Sequence, residues 1–227
     1  MKQSIHFSFF SLIFLLFYSS TLKAQFQTAS MTPEEMVENV FLAGNCVEVT
    51  NIEYIGDDNS KGYFAGGTDN IGIEEGILLT TGFFGSIANG PGAFSDGSTS
   101  GVADTDLNAI TSPTNTQDAA VLEFDFVPTG NTVVFNYVFA SEEYPEFSCS
   151  TFNDVFAFIL SGPGITGGSQ NIARIPGTTT EVSINNIHPA DGPGCPAVNA
   201  QYYVTNNFSA PSFNGFTTVF CLLYTSD

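Results

Sequence analysis

The feature that most constrains this chain is a period of two. In Leu122-Glu123-Phe124-Asp125-Phe126 the apolar side chains fall on one side and the carboxylates on the other. Val133, Phe135, Tyr137 and Phe139 repeat the pattern as an aromatic stripe after a Pro128-Thr129-Gly130-Asn131 turn. Two such strands joined by a turn predict a hairpin with one buried face. Val155 to Leu160 is apolar on both faces, which predicts a strand in the middle of a sandwich. Further strands are expected over Val47 to Ile55, Gly76 to Thr81, Glu181 to Ile187 and Gln201 to Thr205, with a turn at Gly56-Asp57-Asp58-Asn59.

One helix is legible. Thr32-Pro33-Glu34-Glu35 is a capping signature, Met36, Val37, Val40 and Phe41 follow at helical spacing, and Gly44 closes the element. From Phe83 to Thr116 the chain is rich in Gly, Ser, Thr, Asn and Asp, which is long for a structureless loop. Such a segment carries function or wraps the sheet. Short strands, frequent turns and no αβ alternation predict an all-β fold: an antiparallel β-sandwich of jelly-roll type with one short N-terminal helix.

Charge narrows the function classes. Asp and Glu number 23 against four Lys and Arg, a formal charge of −19. Lys2 and Lys23 flank an apolar run from Phe7 to Tyr18, so residues 1–24 read as a secretory signal cleaved before Gln25. Without that segment Lys61 and Arg174 alone face 23 acids, a charge of −21. No basic patch can be built from two cations, which excludes nucleic acid and disfavours anionic membrane as partners. Hydrophobic residues at 43%, with 23 Phe, separate this acidity from disorder. No second apolar run approaches spanning length, so a mature chain without a transmembrane segment, secreted or at the cell surface, is expected.

Export permits disulfides. The cysteines are Cys46, Cys149, Cys195 and Cys221; no C-x-x-C occurs and the histidines are His6 and His188, which argues against a zinc site. Cys149 and Cys195 sit in turn-rich segments and are expected to pair. Closing that loop of about 45 residues contributes about 4 kcal/mol in the chain-entropy model.

Several strings resemble the choice-of-anchor L family of exported bacterial surface proteins. They are Ala43-Gly44-Asn45-Cys46-Val47-Glu48-Val49-Thr50-Asn51, Glu75-Gly76-Ile77-Leu78-Leu79-Thr80-Thr81-Gly82, and Asp104-Thr105-Asp106-Leu107. Asp118 to Phe126, Phe139 to Tyr144 with its Ser141-Glu142-Glu143-Tyr144 string, and Asn153-Asp154-Val155-Phe156 up to Gly164 continue the match. Asn171-Ile172-Ala173 and Val182 to Asn186 extend it, so that it covers about residues 30 to 218. The resemblance implies an extracellular β-rich domain carried by larger, variously anchored proteins, and no known enzyme activity. Family members continue past Phe216-Thr217-Thr218 into a further acidic strand. The string Cys221-Leu222-Leu223-Tyr224-Thr225-Ser226-Asp227 departs from that pattern and reads as a non-native tail, so the domain is taken as residues 25–220, incomplete at its C-terminus. An incomplete acidic site and an unpaired edge strand are expected consequences.

Glu142, Glu143 and Glu146 end one apolar strand, and Asn153-Asp154 opens the next. Gathered carboxylates repel one another and lose hydration, so a fold that collects them calls for a cation. Calcium held by Glu142, Glu143 and Asp154, with Asp104 or Asp106 from the long loop, is the expected site; the alternative is that such acids cap turns. Hydrolysis of a glycan by Glu142 and Asp154 is weighed and disfavoured, since neither Trp nor a basic residue stands near. His188 precedes Pro189 without a G-x-S-x-G elbow, so no catalytic triad is expected. Tyr63, Tyr202 and Tyr203 could stack on sugars, though each fits a sheet residue better. The sequence therefore points to a secreted adhesion or surface-architecture module, calcium-assisted, whose partner is a surface protein or glycan; a carbohydrate-binding domain of a larger exported enzyme or adhesin is the alternative.

Overall fold

The computed structural model describes residues 25–42, 47–90, 101–111, 115–165, 167–208 and 210–225. The expected signal segment, Gly44, Cys46 and the last two residues therefore lie outside the described residues. Every strand pairing is antiparallel, and the fold is sandwich-like without barrel closure.

Strand β1 (Gln27–Ala29) leads into helix α1 (Pro33–Glu35), which carries the expected capping box. Glu35 N–H donates to Thr32 Oγ1 at 3.2 Å and Thr32 N–H donates back to the Glu35 carboxylate at 3.0 Å. The helix widens into a π-turn over Met36–Phe41, with Met36 and Val37 fully buried. Strands β2 (Glu48–Ile55), β3 (Lys61–Ala65) and β4 (Glu75–Leu79) follow. β3 pairs with both β1 and β4, while β2 pairs with β5 (Val121–Val127). A register shift between Thr50 and Glu53 marks a bulge there. Asn51 takes the left-handed conformation at that point, φ 54°, and its amide donates to Asp125 Oδ2 at 2.6 Å.

The alternation in β5 is realised, with Leu122, Phe124 and Phe126 half-buried and Glu123 and Asp125 exposed. The expected hairpin with its successor is not. β6 (Thr132–Tyr137) pairs instead with β14 (Phe220–Thr225) over six residues. Period two tells which face is apolar but not which strand lies alongside. The β2–β5 and β6–β14 pairs are bridged by aromatic rings rather than by a shared ladder. Phe41 stacks on Phe135 at 4.5 Å between centroids, Phe135 on Phe158 at 4.8 Å, and Phe124 meets Phe41 edge-on at 5.7 Å.

The run expected as one strand from Val155 to Leu160 is broken. β8 (Val155–Phe156) and β9 (Ile159–Ser161) are separate because the amide of Phe158 turns to the Asn171 side chain, at 3.1 Å. β9 pairs with β10 (Ser169–Asn171), and β8 with β11 (Val182–Ser183). The remaining sheet orders β12 (Tyr203–Thr205), β13 (Gly215–Thr217) and β7 (Ala140–Ser141). Gly215 is required there. A Cβ would lie 2.4 Å from the Tyr203 ring, which covers the glycine from the neighbouring strand.

The long loop from Phe83 to Thr116 is not structureless where it is described. It holds a 3₁₀ turn at Phe84–Ser86 and a second helix, α2 (Thr105–Thr111), lying against β8. The single expected helix is thus corrected to two among the described residues. Two buried clusters stabilise the halves. Phe26, Phe64, Ile87 and Ala210 form one; Phe139, Tyr144, Ile175, Val182, Ile184, Ile187 and Phe220 form the other. The second positions the acidic loop. Cys221 to Thr225, expected as a non-native tail, complete β14 against β6.

Candidate functional site

The chain enters the acidic loop from β7 and leaves it at β8, so Glu142 and Asp154 each adjoin a strand. Backbone bonds fix both ends. Asn214 donates its side-chain amide to the Glu142 carbonyl and its backbone N–H to the Ser141 carbonyl, the latter at 3.1 Å. Ile184 N–H donates to the Asp154 carbonyl at 3.1 Å. Glu143 N–H donates to Ser141 Oγ at 3.1 Å, and Tyr144 next to it is fully buried against Tyr203, ring centroids 5.1 Å apart. Glu143 itself is half-buried.

The electrostatic result is unfavourable. Burial, the Asp154 charge and the Glu142 charge push the Glu143 carboxyl up to about 7. Burial and Glu142 raise Asp154 as well. Glu143 Oε2 is buried and finds no hydrogen-bond partner among the described residues. A desolvated carboxylate oxygen in that state is costly unless it is protonated or meets a cation. Three sequence-predicted ligands, Glu142, Glu143 and Asp154, therefore share one electrostatic environment.

Asp104 and Asp106 belong to the start of α2. Asp104 is the N-cap of α2, accepting from Leu107 N–H at 2.8 Å, while Asp106 is exposed in the first turn. Neither is among the charges that raise Glu143. Glu146 is exposed beside them in sequence and adds to the raised Tyr203 hydroxyl, whose main cause is burial.

Midway along the loop Cys149 bonds to Cys195, with Cα atoms 5.8 Å apart, as the turn-rich placement predicts. Cys149 is exposed and left-handed, φ 62°, and Cys195 is buried. His188, only 1% exposed, packs on the disulfide: Nε2 lies 3.8 Å from Cys149 Sγ and Nδ1 lies 3.8 Å from Cys195 Sγ. Among the described residues this trio, rather than the carboxylates, has its ligand atoms within 4.8 Å of one another. The sequence gives no spacing signal for it, since the residues are 39 and 7 positions apart.

Of the tyrosines considered for sugar stacking, Tyr63 and Tyr203 are strand residues and Tyr202 ends the 3₁₀ turn Ala200–Tyr202. Tyr63 donates its hydroxyl to Glu75 on β4, Tyr202 meets Phe220 edge-on at 5.3 Å, and Tyr203 packs on Tyr144.

Fold and site together define an acidic, disulfide-linked β-sandwich module. The family model of the choice-of-anchor L domain matches residues 25–222, and the chain belongs to that family. It is accordingly a module of an exported, surface-associated bacterial protein. No curated protein and no solved structure matches the chain. No helix among the described residues is long and apolar enough to cross a membrane.

Proposed function

We propose that this domain serves adhesion or surface architecture outside the cell, and that calcium at Glu142, Glu143 and Asp154 stabilises it. The observation that carries the cation is the buried, unpartnered Oε2 of Glu143 beside two further carboxylates. Calcium prefers hard oxygen ligands, and the two ends of the acidic loop offer three carboxylates. With a divalent ion, repulsion among the three acids becomes ligation. Binding to the folded state alone adds about 2.7 kcal/mol at a hundredfold excess over the dissociation constant. Glycan binding has less support, because Tyr202 and Tyr203 pack against the buried cluster. Titration calorimetry of the full chain with Ca²⁺, paired with thermal melts, tests the reading. Uptake of one ion with a higher Tm is expected, and Glu143→Gln should abolish both; a chain that neither binds nor responds rules the site out.

A further inference from the structure

The geometry points to a second use of the Cys149–His188–Cys195 cluster: once the disulfide is reduced, the two thiolates and His188 Nε2 form a three-ligand site for a thiophilic divalent cation such as Zn²⁺. His188 is already set for this. Its Nδ1 lies 2.7 Å from the Pro189 carbonyl, an acceptor only, so Nδ1 carries the proton and donates. Nε2 is left with the lone pair, and it lies 3.8 Å from Cys149 Sγ. A backbone carbonyl that fixes the tautomer in this way is the usual partner of a metal-binding histidine.

The distances are close to those a metal needs. Tetrahedral zinc with sulfur at about 2.3 Å and nitrogen at about 2.0 Å separates its ligand atoms by roughly 3.5 to 3.8 Å. His188 Nε2 stands 3.8 Å from Cys149 Sγ before any rearrangement. The sulfurs must part from their bonded 2.08 Å, and Cys149, being exposed, has room to swing outward. That exposed side also supplies an entry path and leaves the fourth position to solvent.

The backbone around the three residues is held without the disulfide. Cys149 N–H donates to Asn185 Oδ1 at 2.7 Å, and Asn185 Nδ2 donates to the Ser150 carbonyl at 2.9 Å. His188 forms a two-bond bridge with Val198, at 2.9 and 3.1 Å, and Asp191 N–H donates to the Cys195 carbonyl at 2.9 Å. Reduction therefore leaves the ligands framed. A dithiol reductant supplies the two electrons and two protons that turn the disulfide into two thiols, itself closing to a cyclic disulfide. Zn²⁺ then displaces one proton from each thiol. The same two loops are joined covalently under oxidising conditions and through metal under reducing ones.

The full chain, reduced with a dithiol and exchanged anaerobically into metal-free buffer, tests this with Co²⁺ as a spectroscopic probe. One equivalent should give sulfur-to-cobalt charge transfer and intense tetrahedral d–d bands, displaced by Zn²⁺, and the oxidised chain should give neither. Cys195→Ser should at least halve the charge-transfer absorbance, and His188→Gln should weaken Zn²⁺ binding at least about tenfold. Both residues are buried, so a measurement on the unsubstituted chain accompanies these variants. Zn²⁺ should slow alkylation of Cys149 and Cys195 at least about tenfold, read by peptide mass spectrometry, while exposed Cys221 reacts at its former rate. Absence of the cobalt spectrum, equal protection of Cys221, or a reduced chain that loses its β structure and does not regain it with Zn²⁺ overturns the site.

Discussion

The acidic loop carries two kinds of order within a dozen residues. Around Cys149 the sulfur is bonded to Cys195, the amide donates to Asn185, and His188 Nδ1–H has its carbonyl, which leaves Ser148 Oγ buried without a partner among the described residues. At the loop's two ends, Glu143 and Asp154 are pressed inward with raised carboxyls, and one Glu143 oxygen is buried without a partner among the described residues. The middle is cross-linked, whereas the ends hold desolvated carboxyls. A chain whose described residues hold only Lys61 and Arg174 as basic side chains has no cation to spare for those ends, because Lys61 pairs with Asp58 and lies over the Tyr54 ring, and Arg174 bonds to the Asn171 and Thr179 carbonyls. The difference teaches that one loop can combine a cross-linked centre with ends whose carboxylates carry an electrostatic cost.

The largest expected effect comes from removing the centre. The disulfide closes a loop with a sequence separation of 46, which corresponds to about 4 kcal/mol of restricted unfolded-state freedom. Cys149→Ser with Cys195→Ser, compared with the oxidised parent by urea unfolding in metal-free buffer, should lower stability by about that amount. A loss under about 1 kcal/mol would show that the Asn185 and Val198 contacts hold the loop unaided, and the contrast between centre and ends would dissolve.

The next effect belongs to the ends. An acid with its folded-state value raised binds its proton more tightly in the fold than in the unfolded chain. Glu143 therefore contributes stability below its ordinary 4.5, and that contribution is lost as pH rises toward 7. Asp154 shifts in the same direction. Because the Glu143 side chain is only half-buried, solvent screening reduces the loss to about 1 kcal/mol. Melts in a chelator should show Tm falling between pH 4.5 and 7, and Glu143→Gln should flatten the fall. Excess Ca²⁺ should flatten it too. A Tm that rises across that interval would mean the carboxylates are already satisfied as anions.

How much of this was legible depends on what the sequence encodes locally. Thr32 and Glu35 announce the capping box because both partners lie within one turn, and Leu122 to Phe126 announces its buried face by period alone. Pairing partners are not local: β5 lies beside β2, some seventy positions upstream, and nothing in either strand names the other. Strand β3 was hidden by Lys61 and Gly62, whose burial depends on contacts with Tyr54 and with the β1 backbone. Helix α2 was hidden by residues of middling propensity, Thr105, Asp106, Asn108 and Thr111, that need the Asp104 cap and contact with β8. Of the acidic residues, Glu142 and Asp154 adjoin strands as their positions suggested, and their charges act on Glu143. His188 was passed over since a lone histidine before proline carries no spacing signal.

The smallest effect separates the ends of the loop from the acids that only resemble them in sequence. Asp104 accepts the Leu107 N–H at 2.8 Å and so acts as a helix cap. Asn caps about as well as Asp, whereas Ala loses the bond at about 1 kcal/mol. Asp104→Asn should therefore change stability by no more than about 0.5 kcal/mol, and it should leave calcium uptake at Glu142, Glu143 and Asp154 unaltered. Asp104→Ala should cost about 1 kcal/mol without changing the pH dependence of Tm, which belongs to Glu143. A weaker calcium response in Asp104→Asn, with stability in chelator preserved, would bring α2 into the site. The long loop would then join the exit of β7 and the entry of β8 as a third source of ligands.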